Sequence, residues 1–177
     1  LAGDSAKQFH EHWLKLMPGD ARYYSYIYDE PPAKVFKELN GFLNGVLEKA
    51  PDFRFFSPHK VDPLLPGIKV FCVPFGFGYV NPELEKNREI WYYNWPLPLD
   101  HHNYIKNRLF AWQIFANGGV GGLMWQTTSS PGPHVNPWTN LEKTFANGGA
   151  TIIFPALTKG GKFVPTLRMA QIREAMD

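Results

Sequence analysis

The sequence predicts an α/β protein with a parallel sheet, because strand-like and helical segments alternate along the chain. At 177 residues, with 44% hydrophobic and 19% charged residues, the chain is long enough for one ordinary folded domain. The apolar run IKVFCVPF (68–75) is typical of a strand that is covered on both faces. Segments rich in β-branched and aromatic residues predict five strands: 23–28, 53–57, 68–75, 89–95 and 120–128.

The helices are predicted from apolar spacing and from the signals at their ends. Residues 6–17 place apolar side chains on one face, and residues 33–50 form an amphipathic helix that begins after Pro32. Residues 101–119 end in Asn-Gly-Gly, which is typical of a left-handed C-terminal cap. A Gly/Pro-rich loop is predicted at 129–138, and two further helices are predicted at 82–88 and 166–177.

Two architectures can hold such a sheet. An open doubly wound sheet is one, but no Gly-x-Gly-x-x-Gly follows a strand, so a dinucleotide site is not indicated. The other is a (β/α)8 barrel of about 250 residues, of which five strands would be slightly more than half. Catalytic residues in barrels lie at the carboxyl ends of strands. The residues at or near those ends here are Asp29, Glu30, Asn94, Trp95, Trp125 and Gln126.

Charge, cysteine and histidine content exclude several classes of protein. The net charge of +2 is small and the charges are mixed, so no nucleic-acid partner is expected. No apolar run reaches the roughly 18 residues of a transmembrane helix, and no signal peptide is visible. Cys72 is the single cysteine, and its apolar surroundings predict a buried thiol. The histidines have no metal-ligand spacing, so neither a metal nor a cofactor is expected.

The segment YYSYIYDEPP (23–32) places two carboxylates side by side at the end of an aromatic strand. Within a strand, Asp29 and Glu30 would point to opposite faces, but at a strand end fixed by prolines both could reach one pocket. A pair of acids with different roles is what glycoside hydrolysis requires, and adjacent acids suit its substrate-assisted form. The alternative is that the two acids cap helix 33–50, whose N-terminus favours negative charge.

Several motifs occur in an order that resembles one known family: YIYDEP, EIWYYNWPLP, NRLFAWQIFANGGVGGLMWQTT, NPW and IIFP…GGKFVPTLRMAQIREAMD. From about residue 11 onward the chain resembles the C-terminal part of the domain of unknown function 4091, found in glycoside hydrolase family 123 and its relatives. The resemblance implies that residues 1–177 form about five βα units of a (β/α)8 barrel, with its N-terminal strands absent from this chain. It also implies substrate-assisted cleavage of β-linked N-acetylgalactosamine.

The resemblance assigns roles to individual residues. Asp29 would hold the acetamido nitrogen of the sugar, and Glu30 would be the general acid. Aromatic and amide side chains would contact the sugar, with core packing as the alternative for each aromatic: Trp91, Tyr92, Asn94, Trp125 and Trp138. Arg108 and Arg168 are predicted to form structural ion pairs. The chain departs from the family where NGGATIIFP replaces a Gly-Asp-Gly ahead of Tyr-Pro.

Three functions follow from these observations. The leading hypothesis is a glycosidase acting on terminal β-N-acetylhexosaminides, with N-acetylgalactosamine as the favoured sugar. The second is a non-catalytic carbohydrate-binding or scaffold protein with a degenerate barrel. The third is a different retaining or inverting glycosidase, whose second carboxylate lies outside this chain.

The expected partners are a glycan and the N-terminal half of the barrel. That half would come from the same or another chain, because five strands alone leave apolar edges exposed. The chain begins with Leu1 rather than Met, which suggests a processed chain or a piece of a longer one. The sequence does not fix the compartment, although a secreted, periplasmic or other glycan-processing location is favoured.

Overall fold

The computed structural model describes residues 2–17, 23–74, 86–94, 105–124, 138–139, 152–154, 156, 158 and 160–176. The chain forms two compact units, Leu1–Trp91 and Tyr92–Asp177. Within the described ranges, no helix combines the length and apolarity needed to cross a membrane.

The first unit is a parallel sheet with two helices. Its helices are α1 (Ala2–Leu16) and α2 (Phe36–Leu47), the latter preceded by a 3-10 turn at Ala33–Val35. Its strands, in sheet order, are β1 (Ser25–Tyr26), β2 (Phe55–Ser57), β3 (Val70–Pro74) and the start of β4 (Glu89–Asn94). β1 pairs with β2 in parallel, and β2 pairs with β3 in parallel. The predicted α/β class and the parallel pairing of the first three strands are therefore confirmed.

The second unit contains the end of β4 and the elements that follow it. These are α3 (Lys106–Ala116), β5 (Gly121–Met124), β6 (Ile153–Phe154), β7 (Val164–Pro165) and α4 (Leu167–Met176). β5 follows β4 in the strand order, and helices α3 and α4 pack together. An ion pair of 3.4 Å between Arg108 Nε and Glu174 Oε2 joins those helices, which confirms the structural role predicted for Arg108. Arg168, in α4, is buried.

The differences from the predicted elements lie mainly at their ends. Strands β1 and β2 are shorter than the predicted 23–28 and 53–57, and the first helix begins earlier, at Ala2. The antiparallel pair formed by β6 and β7 was not predicted, because each strand has only two residues and carries little periodicity. The helix predicted at 82–88 falls mostly on residues 75–85, which lie outside the described residues.

The core of the first unit lies between α2 and the sheet. Apolar residues at helical spacing on α2 are buried: Phe36, Leu39, Leu43 and Val46. The ring of Phe42 lies 6.3 Å from that of Phe55 on β2, measured between centroids. β3 is buried on both faces, as its continuous apolar run predicts, and Cys72 is fully buried within it.

The C-terminus of α3 has the predicted left-handed cap. Gly118 has φ +70°, and the N–H of Gly119 donates to the carbonyl of Ile114 at 2.9 Å. A Cβ at Gly119 would lie 2.7 Å from the Tyr92 ring, so glycine is also required there for close packing. The cap therefore fixes how the chain leaves α3 towards β5.

Candidate active site

One face of the first-unit sheet carries most of the candidate chemistry. Register partners in parallel strands point to the same face, so Tyr26, Phe56 and Val70 share one. Because side chains alternate along a strand, the residues two positions before or after these also point to that face. We call this surface the tyrosine face and define it by Tyr24, Tyr26, Arg54, Phe56, Val70 and Cys72. The opposite face, with Phe55, packs against α2.

The carboxyl end of β1 leads into a bend at residues 29–30. Glu30 has φ +45°, which is the left-handed region that non-glycine residues seldom adopt. The residue also precedes Pro31, and a following proline favours extended backbone instead. Such a conformation costs on the order of 1–3 kcal/mol and persists only where the surrounding structure imposes it. The backbone at the acid pair is therefore strained.

Neighbouring groups hold this strained bend in place. The N–H of Glu30 donates to the carbonyl of Pro58 at 3.1 Å, and Ser57 Oγ donates to the carbonyl of Tyr28 at 2.9 Å. Pro31 is fully buried, so its ring anchors the exit of the chain. The prediction that prolines fix the direction of the chain after β1 agrees with this arrangement.

The side chains of Asp29 and Glu30 are both exposed. The hydroxyl of Tyr26 donates to Asp29 Oδ1 at 2.9 Å. The residues that cap the 3-10 turn and α2 are Pro32 and Val35, and neither makes a side-chain capping bond. The bond from Tyr26 thus gives Asp29 an orientation that helix capping does not explain.

Tyr26 is the residue of this site that the sequence analysis missed. Burial raises the pKa of its phenol above the usual range, and the hydrogen bond to Asp29 and the charge of Asp29 raise the pKa further. The phenol therefore stays protonated and remains a donor over the ordinary working range of pH. Its position three residues before Asp29, on the alternating Tyr24, Tyr26 and Tyr28, is the signal that could have identified it.

Trp91 is the predicted sugar contact that lies on the tyrosine face. Its ring centroid is 4.8 Å from that of Tyr24 and 5.3 Å from that of Phe56. Phe56 in turn lies 5.4 Å from Tyr26. Trp91 is therefore joined to Tyr26 by an aromatic row across the sheet, and Tyr26 bonds to Asp29.

Tyr92 and Asn94 are on the opposite side of β4, as alternation requires. Tyr92 is 4% exposed, and its hydroxyl donates to the carbonyl of Asn117 at 3.3 Å. Its ring packs at the C-terminal cap of α3, which agrees with the core alternative for this residue. Asn94 is half-buried.

The remaining predicted sugar contacts belong to the second unit. Trp138 is 38% exposed, and its ring centroid lies 4.9 Å from that of Phe154. Trp125 lies outside the described residues. Of the predicted site residues, Asp29, Glu30 and Trp91 lie in the first unit, and within the described residues Trp91 is linked to Asp29 only through Phe56 and Tyr26.

The amino end of the same face carries a second tyrosine–carboxylate pair. Tyr24 donates to Glu89 Oε2 at 3.1 Å, and Arg54 forms an ion pair with Oε1 of the same carboxylate. The Arg54 guanidinium also lies 6.0 Å from the centroid of the Tyr24 ring. Arg54 and Glu89 are only about a third exposed, so this pair is satisfied within the protein.

Each unit has a cavity that is lined by described residues. In the first unit, a cavity of about 460 Å³ runs between α1 and the residues of β1, with Phe9, Trp13 and Tyr26 in its walls. In the second unit, a cavity of about 430 Å³ is lined by apolar residues of α3, α4 and β5 and by glycines. No acid or base lines the second cavity, so it does not suit acid–base chemistry.

Comparison with known proteins gives a similarity in fold to a solved structure. No protein-family model matches the chain, and a search of curated proteins gives no match either. Among solved structures, the chain has the fold of part of a glycoside hydrolase. That structure is a family 123 glycoside hydrolase from Clostridium perfringens, solved in work on the hydrolysis of glycolipid glycans. The TM-score is 0.56 at 12% identity, over 98% of this chain and 33% of that one. This chain therefore spans about a third of its neighbour's length.

Proposed function

We propose that the protein carrying this chain is a glycoside hydrolase that acts on terminal β-N-acetylhexosaminides, with N-acetylgalactosamine as the favoured sugar. The observation that carries the proposal is the acid pair Asp29 and Glu30, at the carboxyl end of a parallel strand, with the backbone of Glu30 held in a strained conformation. Imposed backbone strain is concentrated at functional sites. Carboxyl ends of parallel strands are where α/β enzymes place their chemistry. The similarity in fold to a family 123 glycoside hydrolase supports the class of enzyme.

The proposed reaction divides the work between the two acids. The carbonyl oxygen of the sugar's 2-acetamido group attacks the anomeric carbon while the glycosidic C–O bond breaks. Glu30 gives its proton to the departing oxygen, and the carboxylate of Asp29 accepts a hydrogen bond from the acetamido N–H. Water then attacks the same carbon, Glu30 takes a proton from that water, and the acetamido group is restored with retention of configuration.

We propose that the sugar is held by Trp91, Asn94, Trp125 and Trp138. Trp91 is the strongest of these, because it shares the tyrosine face with Tyr26 and lies in the same aromatic row. Aromatic rings stack well on the apolar face of a pyranose. The resemblance also implies a sugar contact for Tyr92, and such a contact requires its buried ring to leave the cap of α3.

We also propose that the strands belong to a (β/α)8 barrel completed by segments from the same or another chain. β1 is the first strand in the sheet order, and the cavity beside it is lined by four consecutive residues, 23–26, and by α1. Trp13, Phe9 and Tyr26 are each more than a third exposed there. An exposed apolar edge of this kind needs a cover.

The test is hydrolysis of 4-nitrophenyl glycosides by the complete protein. The N-acetyl-β-galactosaminide, the N-acetyl-β-glucosaminide and the plain β-galactoside are compared, each with Glu30→Gln, Asp29→Asn and the control Glu48→Gln. Glu48 is an exposed acid at the end of α2, outside the proposed site. We expect the first two variants to lose about 10²–10⁴-fold in kcat/KM and the control to lose nothing.

Three outcomes would overturn the proposal in different ways. Full activity of Glu30→Gln would remove the acid assignment. Equal cleavage of the β-galactoside would favour an enzyme with its second carboxylate elsewhere. Glycan binding without turnover in the intact protein would favour a carbohydrate-binding or scaffold role instead.

A further inference from the structure

The orientation of Asp29 depends on a residue that the proposed mechanism does not use. Asp29 lies in an exposed bend, where a short carboxylate side chain can occupy several rotamers. Its Oδ1 accepts a hydrogen bond of 2.9 Å from Tyr26. Among the described residues, none forms an ion pair with Asp29. The phenol of Tyr26 is therefore the group that can select one rotamer of the acid.

Tyr26 is itself held more firmly than the acid it contacts. It is a residue of β1, in register with Phe56 of β2, and the N–H of Ile27 continues the pairing to the Phe56 carbonyl at 3.0 Å. The Tyr26 ring packs against Phe56 at 5.4 Å, and Phe56 packs against Trp91 at 5.3 Å. The hydroxyl is thus placed by the sheet and by the aromatic row, while the acid is placed by the hydroxyl.

We propose that Tyr26 is a positioning residue, which fixes Asp29 Oδ1 so that Oδ2 faces the substrate's acetamido N–H. This inference rests on the proposed N-acetylhexosaminidase function and adds a group to it. One carboxylate oxygen is occupied by the protein and the other is left for the substrate. In this proposal Tyr26 affects catalysis only through its hydrogen bond to Asp29. The effect of removing the Tyr26 hydroxyl on kcat should therefore disappear when Asp29 has already been replaced.

The charged and titratable groups that act on Tyr26 are Asp29, Glu30 and Cys72. The two carboxylates belong to the bend after β1, and Cys72 lies on the tyrosine face in β3. Cys72 is fully buried, and burial raises the pKa of its thiol to about 12, so this thiol stays neutral near pH 7. The acids of the bend are therefore the charged neighbours to which the phenol responds.

The chain offers a matched control in Tyr24. Tyr24 lies on the same face of the same strand segment and also donates to a carboxylate, that of Glu89. Glu89 is in addition paired with Arg54, at the opposite end of the strands. Tyr24→Phe, like Tyr26→Phe, removes one hydrogen bond from a phenol to a carboxylate. The bond that it removes lies away from the acid pair.

The experiment is a double-mutant cycle in the complete protein. The single variants Tyr26→Phe, Asp29→Asn and Tyr24→Phe and the double variant Tyr26→Phe/Asp29→Asn are assayed on a 4-nitrophenyl N-acetyl-β-hexosaminide. We expect Tyr26→Phe to lower kcat by about 10- to 100-fold, the value of a hydrogen bond to a charged group, with little change in KM. In the Asp29→Asn background the same change should cost less than about twofold. Tyr24→Phe should lower kcat less than Tyr26→Phe does, because the Tyr24 hydroxyl bonds to Glu89 and not to Asp29.

The outcomes separate this inference from the function on which it rests. An active wild type in which Tyr26→Phe keeps full kcat overturns the positioning role alone. An equal loss in both backgrounds also overturns it, because a merely structural tyrosine would be insensitive to Asp29. A wild type with no activity on any N-acetylhexosaminide overturns the proposed function and this inference with it.

Discussion

Two tyrosine–carboxylate pairs lie at opposite ends of one sheet face, and they differ in exposure, in charge balance and in the strain of the neighbouring backbone. At the amino end, Tyr24 donates to Glu89, and Arg54 neutralises that carboxylate in a half-buried setting. At the carboxyl end, Tyr26 donates to the exposed Asp29, next to a strained Glu30. The first pair has its charge balanced, whereas the second keeps an acid exposed at an energetic cost.

The difference fits the proposed function, with a satisfied ion pair at one end of this face and the proposed acids at the other. A satisfied ion pair at the amino ends of strands holds the sheet together, and an acid pair at the carboxyl ends is available to a ligand. Variants at the carboxyl end should therefore change activity, and variants at the amino end should change the free energy of unfolding.

The largest expected effect is on activity at the carboxyl end. Glu30→Gln should lower kcat/KM by about 10²–10⁴-fold, because the proposed general acid is lost while the side-chain volume is kept. Its free energy of unfolding should change by less than about 0.5 kcal/mol, since the side chain is exposed. Kinetics and urea unfolding of the same preparation check both values. A large loss of stability would contradict the division between the two ends.

At the amino end the expected effect is on stability. Glu89→Gln should lower the free energy of unfolding by about 1–2 kcal/mol, because the partly buried Arg54 loses its ion pair. Glu11→Gln is the control, since its pair with Lys7 spans 3.9 Å and both side chains are more than half exposed. That change should cost less than about 0.5 kcal/mol. Loss of kcat in correctly folded Glu89→Gln protein would show that the amino end also takes part in chemistry.

A smaller effect should reveal the strain at Glu30 directly. Glu30→Gly should raise the free energy of unfolding by about 1 kcal/mol, because glycine adopts φ +45° without steric cost. Asp29→Gly, one residue earlier and without a positive φ, should lower it by about 0.5–1 kcal/mol through chain entropy. Thermal unfolding of the two variants beside the wild type gives the comparison. Equal destabilisation by both would mean that Glu30 is not strained.

The smallest effect reports on the sheet between the two ends. Burial raises the pKa of Cys72 to about 12, so the thiol stays protonated at pH 8. Iodoacetamide should leave the native protein unlabelled and react quickly in denaturant. Because the folded pKa is raised, the related stability is complete below about pH 9 and falls as pH rises towards 12. Fast labelling of Cys72 in a native Glu30 or Glu89 variant would show that the substitution disturbs β3 as well as its own end of the sheet face.

The sequence was a good guide to the elements and a poorer one to the geometry of the site. The apolar run of β3 and the periodicity of α2 predicted their burial, because such patterns report burial directly. The acid pair was singled out from its place after an aromatic strand, and its catalytic role stays a prediction. The left-handed backbone of Glu30 was not predicted, because it depends on the carbonyl of Pro58, 28 positions away in the chain. The role of Tyr92 also depended on distant contacts, with the cap of α3.

The strained bend also affects how sequences of this kind change over generations. Replacement of Glu30 by glycine relaxes the backbone, so drift under selection for folding alone leads away from the acid. A later substitution of glycine by glutamate would have to restore the unfavourable backbone conformation before it could improve catalysis. On the proposed function, lineages with this strand end are therefore expected to lose turnover more readily than they regain it, and to leave descendants that keep the fold but lack the acid.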